Sequence, residues 1–432
     1  MLPPSGIGAD SSPRRPASVP TELDAMPAPD EPVMATGIRE LDRVLGGGLT
    51  PASVSLLAGE PGTGKSTLLL QMLAGMAAQG RRCLLVSAEE SLDQVHRRAA
   101  RLGAVRPGLW ALAETDVRRI RGCAAELRAE VLVIDSIQTI SDPATGSAPG
   151  TVASVKACAQ QLVDDAKSGG PAVILVGHVT KDGSIAGPRV LEHLVDTVLT
   201  FDGERHDVLR LLRAVKHRFG PVGELGLWEM TGTGLVEVRD AAALLLADRR
   251  SGVPGSVLFA ALEGRRPLLV EIQALTGPST PGMVRRAASG YDPSRLVQLL
   301  AVLERRAGVS VAGQDVYVSA VGGVKLTDPG ADLAVALAVA SAVTGQVVDD
   351  GLVVLGEVGL AGEIRRVANP GRRLGEAARL GFGRVLAPPG TPAPDGLVVE
   401  PATTLGLALD EHLGAMSVPP RLRLVASAAL DR

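Results

Sequence analysis

The chain has 432 residues, of which 46% are apolar and 2% aromatic, and its formal net charge at pH 7 is −3. That length holds two or three domains, and the apolar share supports substantial cores built from Val, Leu, Ala and Ile. The near balance of charge excludes a global cationic field, so nucleic acid, if bound, must be held by local patches.

Residues 1–34 are rich in Pro, Ser, Ala and Asp and lack periodicity. Such a segment cannot offset its ordering entropy by burial, and a disordered tail is expected. Short apolar runs then alternate with helical stretches: Ser53–Ala58, Cys83–Ser87, Val131–Asp135, Val173–Gly177 and Val195–Phe201. Buried parallel strands read this way, as near-continuous Val/Leu/Ile runs with helices between them. Val208–Val215 follows closely and is expected to add an antiparallel edge.

Between the first strand and a helix over Ser66–Ala78 lies Gly59-Glu60-Pro61-Gly62-Thr63-Gly64-Lys65-Ser66, followed by Thr67. This is the P-loop pattern in its expected context. Glycines let the backbone curl so that its N–H groups face phosphate oxygens, and the helix adds its positive end. Lys65 is expected to reach the β- and γ-phosphates of ATP, and Ser66 to offer its hydroxyl to Mg²⁺. Asp135, at the carboxyl end of an apolar run, is the candidate Mg²⁺-orienting acid. Glu89 and Glu90 follow the second strand, where an acid would polarise the attacking water. Adjacent glutamates also suit a first helical turn, so one can be catalytic while the other serves the helix. Lys216-His217-Arg218-Phe219-Gly220 follows a strand. Its cations fit either a solvated turn or a finger reaching a neighbouring subunit's γ-phosphate.

The pattern loosens over residues 239–252. A second block begins near Val253, with strands expected at Ser256–Leu262, Leu268–Leu275 and Asp315–Val321. Helices are expected at Pro293–Arg306, Asp332–Thr344 and Gly371–Leu380. Three scattered cysteines, Cys83, Cys123 and Cys158, lack metal-ligand spacing, so neither a disulfide framework nor zinc is expected. There is no signal-peptide pattern and no apolar stretch of the roughly 18 residues a membrane span needs. A cytoplasmic protein without membrane contact is expected.

These residues, with several ordered motifs, resemble the RadA (Sms) family of bacterial DNA-repair proteins, relatives of RecA with a Lon-protease-like C-terminal domain. The resemblance runs from about Thr36 to the end of the second block. It rests on residues 36–48 (TGIRELDRVLGGG), the P-loop, residues 86–91 (VSAEES), residues 133–139 (VIDSIQT), residues 177–183 (GHVTKDG) and residues 187–193 (GPRVLEH). Residues 216–220 (KHRFG), 263–267 (EGRRP) and 270–275 (VEIQAL) complete it.

The resemblance implies an α/β fold: a RecA-like core with a mostly parallel sheet over 35–240, then an α+β Lon-protease-like domain over 250–432. It also implies a DNA-dependent ATPase in recombination and repair, working as a hexameric ring on single-stranded and branched DNA to drive branch migration. A RecA-type recombinase is an implied partner. Glu89 would be the base, Lys216 and Arg218 would act on a neighbour's nucleotide, and loops around 141–151 and 181–189, with Lys181 and Arg189, would face DNA. Two departures stand out. The family's N-terminal four-cysteine zinc finger is not expected here, since no cysteine precedes Cys83, and His217 stands where the family has an asparagine. In the second block, Gly330 and Gly371 stand where a Lon-like protease carries its serine and lysine, so no proteolysis is expected. A KaiC-like signalling ATPase that regulates protein partners is the alternative.

Overall fold

The computed structural model describes residues 33–144, 146, 148–178, 190–203, 209–280 and 283–414, together with Glu22. Most of residues 1–34, and Lys181 and Arg189 that were expected to face DNA, therefore lie outside the described residues.

The first sheet is built from β1 (Val54–Gly59), β2 (Cys83–Ser87), β3 (Leu109–Ala113), β4 (Val131–Asp135), β5 (Ala172–His178), β6 (Thr197–Asp202), β7 (Leu209–His217), β8 (Leu225–Thr231) and β9 (Gly234–Glu237). Their spatial order is β3-β2-β4-β5-β1-β6-β7-β8-β9. From β3 to β6 every pair is parallel, and β7, β8 and β9 add antiparallel neighbours.

The helices around this sheet are α1 (Arg39–Val44), α2 (Lys65–Ala78), α3 (Leu92–Arg101), α4 (Val117–Glu126) and α5 (Val152–Lys167). Alternation along the strands divides the core between two faces. Leu57, Leu85, Val133 and Ile174 share one cluster with Leu69 and Leu73 of α2. Leu56, Leu84, Leu132 and Leu175 share the other with Ile120 of α4 and Leu162 of α5. Both faces are covered, which is why these strands read as continuous apolar runs.

The second sheet comprises β10 (Ser256–Glu263), β11 (Arg266–Pro278), β12 (Arg286–Ser289), β13 (Gln314–Ala320), β14 (Leu352–Val354), β17 (Arg384–Ala387) and β18 (Val398–Pro401), and a separate ribbon pairs β15 (Glu357–Val358) with β16 (Ile364–Arg365). Its order is β12-β13-β11-β10-β14-β17-β18, a mixed sheet. Helices α7 (Pro293–Arg306), α8 (Asp332–Thr344), α9 (Pro370–Arg379) and α10 (Leu405–Leu413) belong to this unit. Helix α8 is buried on every side from Asp332 to Ser341, as its uniformly apolar sequence requires.

Three details differ from the sequence reading. The stretch 239–252 contains a helix, α6 (Ala241–Leu246), whose Leu245 is buried in the core of the second unit. Strand β7 is antiparallel but not an edge, because β8 and β9 lie beyond it and bring in the buried Trp228. Strand β3 carries a half-exposed pattern that gives no buried-run signal. The two sheets share one core: Leu209, Leu211, Leu225 and Leu227 pack with residues of the second unit. A buried ion pair between Glu40 and Arg266 crosses the same junction, and Glu40 Oε2 also accepts the Leu227 N–H at 3.0 Å.

Candidate nucleotide-binding site

The register sets four strand ends side by side. Gly59 of β1 pairs with His178 of β5, Ile134 of β4 pairs with Leu175 of β5, and Ser87 of β2 pairs with Asp135 of β4. The residues following these ends therefore gather at one edge of the sheet, where a doubly wound fold holds its ligand.

The loop Glu60–Gly64 leaves β1 and enters α2. Its closeness demands glycine at two places. A Cβ on Gly59 would lie 2.4 Å from the Phe201 carbonyl oxygen, and Gly64 sits at φ +108° with Met230 Cε 2.5 Å from an added Cβ. Thr63 is buried, its hydroxyl donating to the Glu60 carbonyl at 3.0 Å.

Lys65 is buried, and its ammonium donates to the carbonyls of Gly59 and Glu60, both at 2.8 Å. Burial pushes this ammonium below the usual lysine value, opposed by the carboxylates of Asp135, Glu89 and Glu60. Burial likewise pushes the Asp135 carboxyl up. The Ser66 hydroxyl hydrogen-bonds to it and opposes that shift, the Glu89 carboxylate adds to it, and His178 and Lys65 pull it down. A hydroxyl and a desolvated carboxylate facing one point form an oxygen donor set that fits a hard divalent cation such as Mg²⁺.

The two adjacent glutamates separate. Glu89 accepts the Ser136 hydroxyl proton at 2.6 Å and lies 3.5 Å from His178 Nε2. Its carboxylate is half exposed beside the Lys65–Asp135 group. Glu90 is turned away and paired with Arg98, two turns along α3. Ser91 caps that helix in a reciprocal box with Gln94. Ser136 and His178 were not singled out by residue chemistry. Their signal was position, each directly after or at the end of a buried strand. Gln138 donates to the His178 carbonyl at 3.5 Å.

Lys216 and Arg218 do not join this cluster. Thr197 pairs with both His217 and Ser55, so the 216–218 turn lies at the amino end of β1, whereas Gly59 is at its carboxyl end. The separation along the strand is on the order of 13 Å. Lys216 Nζ donates to the carbonyls of Glu192 at 2.6 Å and Val195 at 2.8 Å. The half-exposed Arg218 pairs with Asp196 at 3.1 Å, and Asp196 Oδ2 accepts the Val54 N–H at 3.0 Å. His217 bridges Thr197 Oγ1 at 3.0 Å and the Leu45 carbonyl at 3.1 Å.

Comparison with known proteins gives this arrangement a family. The AAA domain model matches residues 20–184. The chain is 48% identical to the DNA repair protein RadA of Pseudomonas aeruginosa over 94% of its own length and 90% of that protein. It is 47% identical to RadA of Halalkalibacterium halodurans, covering 89% and 85%, and 48% identical to RadA of Mycolicibacterium smegmatis, covering 87% and 81%. The chain belongs to the RadA family of DNA repair proteins. Among solved structures it is similar to an isolated ATPase domain, with a TM-score of 0.43 and 15% identity over 48% of this chain and 92% of that one.

Within this RadA-family chain the sites of the second unit look different. Gly330 is buried, and an added Cβ would meet Val367 Cγ1 at 2.8 Å. Two residues before it, Asp328 pairs with the buried Arg373, two residues after Gly371. The Arg373 guanidinium also donates to the carbonyls of Ala260 at 3.0 Å and Ala368 at 2.9 Å. Among the described residues no helix is long and apolar enough to cross a membrane.

Proposed function

We propose that the chain is a DNA-dependent ATPase of recombination and repair, a ring-forming motor that promotes branch migration of recombination intermediates. The observation that carries this reading is the division of its cations: Lys65 beside Asp135 and Glu89 at one sheet edge, Lys216 and Arg218 at the other. The second pair lies too far along β1 to touch the same chain's nucleotide, and on leaving the Glu192 and Val195 carbonyls and Asp196 it would reach a neighbour's.

Residues 59–67 bind the phosphates of ATP through their N–H groups and the amino end of α2. Lys65 exchanges its two carbonyl partners for β- and γ-phosphate oxygens. Ser66 and Asp135 would hold Mg²⁺, which when bound would neutralise phosphate charge. Glu89 takes the proton of the attacking water, with Ser136 and His178 fixing its carboxylate. Glu90, committed to Arg98, supports the start of α3. Arg218 of one subunit stabilises charge on the next subunit's γ-phosphate, where a positioned arginine acts most strongly in the transition state.

Lys181 and Arg189 are assigned to the backbone of single-stranded or branched DNA, where phosphate contacts give affinity with little sequence information. The unit over 250–432 is read as a Lon-like scaffold without proteolysis. Val367 and the Asp328–Arg373 pair crowd the region around Gly330, and neither Gly330 nor Gly371 supplies a nucleophile or base. A RecA-type recombinase in the cytoplasm is the proposed partner, and no zinc is assigned to the chain.

The test is ATPase rate with and without single-stranded DNA across mixtures of two variants. Lys65→Ala alone is expected to abolish hydrolysis, and Arg218→Ala alone to bind ATP but lose DNA-stimulated turnover. Mixed rings are expected to recover activity, because a Lys65→Ala subunit lends its Arg218 to a neighbour's intact P-loop. No recovery at any ratio, despite measured subunit exchange, sinks the trans assignment. Absence of DNA stimulation in the parent protein favours a signalling ATPase instead.

A further inference from the structure

A cleft of about 840 Å³ opens at the amino-terminal edge of the parallel strands, away from the P-loop. Its floor is apolar, with Ala124 and Ala129 around α4, Leu132 of β4 and Leu162 of α5. Its rim carries four arginines, Arg81, Arg82, Arg121 and Arg128, against two carboxylates, Glu130 and Asp165. Those carboxylates are already engaged: Glu130 by Arg81 at 2.7 Å, and Asp165 by Arg121 at 2.5 Å. Among the described residues Arg128 has no carboxylate partner, and its side chain is exposed. An apolar floor under a net cationic rim suits an acidic peptide with a few apolar anchors.

The chain itself supplies such a peptide at this place. Met34, the second residue of the continuous described chain, lines the cleft, as do Pro51 and Ala52 just beyond its bridge partner Leu49. Immediately before it, residues 23–32 read LDAMPAPDEP, with acids at Asp24, Asp30 and Glu31 and apolar side chains at Leu23 and Met26. No lysine or arginine occurs from Pro16 to Ile38. Met34 lies eight positions after Met26, a reach of up to about 26 Å for extended chain. Three prolines in ten residues stiffen the segment and lower the entropy it loses on docking.

We propose that residues 23–32 dock into this arginine-rimmed cleft of their own chain, Leu23 and Met26 on the alanine-lined floor and Asp24, Asp30 and Glu31 against the rim. The inference is independent of the catalytic reading, since no residue of the cleft belongs to the nucleotide site.

The experiment is disulfide trapping in the full chain, in a Cys123→Ser background because Cys83 and Cys158 are buried and Cys123 is not. Met26→Cys is combined with Ala125→Cys on the cleft wall or, as control, with Leu407→Cys on the exposed face of α10. Oxidation is followed by peptide mapping over a dilution series. The expected result is at least tenfold more crosslink to position 125 than to position 407, in a yield independent of protein concentration. Adding Arg128→Glu is expected to lower that yield severalfold, and reversing a single acid, Asp24, Asp30 or Glu31 tried in turn, to lysine in the same chain is expected to restore it for the one that faces position 128. High salt is expected to weaken trapping, as screening requires. Equal trapping at both positions overturns the proposal. A crosslink that forms only between chains, identified with isotope-labelled mixtures, overturns it in favour of a second copy as the occupant. Yields indifferent to both charge reversals overturn the role of the rim.

Discussion

Asp135 and Asp332 are both acids withdrawn from water at the edge of a sheet unit, yet their surroundings are opposite. Asp332, at the start of α8, receives Tyr291 Oη at 2.7 Å, Arg295 Nε at 2.6 Å and the Val358 N–H at 3.1 Å, and a second Arg295 nitrogen reaches its other oxygen. Asp135 has Ser66, a nearby Lys65 already spent on loop carbonyls, and the repelling Glu89 carboxylate. One acid is saturated with donors and holds the fold. The other is desolvated and under-compensated, the condition expected where a cation or a substrate is to bind. The same contrast separates Glu89 from Glu90: the latter is neutralised by Arg98, the former faces the open edge.

The sharpest way to break this contrast is at the two glutamates. Glu89→Gln is expected to keep ATP binding and lose turnover by roughly 10²–10⁴-fold, the usual loss for a removed general base. Glu90→Gln is expected to cost less than about tenfold and to act through α3. Steady-state ATPase and nucleotide-binding assays on both variants check this, and a dead Glu90→Gln beside an active Glu89→Gln reverses the assignment.

A second prediction concerns the saturated acid. Arg295→Ala removes two donors from a buried carboxylate, and the loss is expected to be about 3 kcal/mol, within the range for breaking a buried pair. Urea unfolding followed by a probe on the second unit reads it. The ATPase rate below the unfolding range should remain within about twofold of the parent. A collapse of turnover in a folded Arg295→Ala protein removes the distinction between the two acids.

The smallest effect is expected at Asp135 without nucleotide or magnesium. Its folded-state value is raised, so between the ordinary carboxylate value and that raised value the folded state binds more protons than the unfolded one. Stability therefore falls as pH rises through this window. Asp135→Asn removes the penalty. It is expected to raise the melting temperature by a few degrees at pH 7, with the gain shrinking toward acid pH, while losing hydrolysis. An unchanged or lowered melting temperature at pH 7 means that the carboxylate is not under-compensated.

The sequence by itself determined the parts whose physics is local. Buried parallel strands had to be unbroken apolar runs, so β1, β2, β4 and β5 were readable to within a residue or so. The loop between β1 and α2 was readable in its place, because its glycines and lysine stand at the fixed offsets that wrapping a phosphate would require. Helices α7 and α8 were bounded by an Asp-Pro start and by a glycine at the end of an apolar stretch. Tertiary structure decided everything that depends on register between distant segments. Nothing in the local sequence tells Glu89 from Glu90, since only the packing of α3 hands one of them to Arg98. Strand β3 pairs at an exposed edge without a buried run, and α6 lies in the stretch where the strand–helix pattern loosens while its Leu245 joins the far core. Above all, the pairing of Thr197 with both Ser55 and His217 carries Lys216 and Arg218 to the amino end of the strand whose carboxyl end holds the P-loop. Strand direction and order fix that separation, and they exist only once the chain has folded.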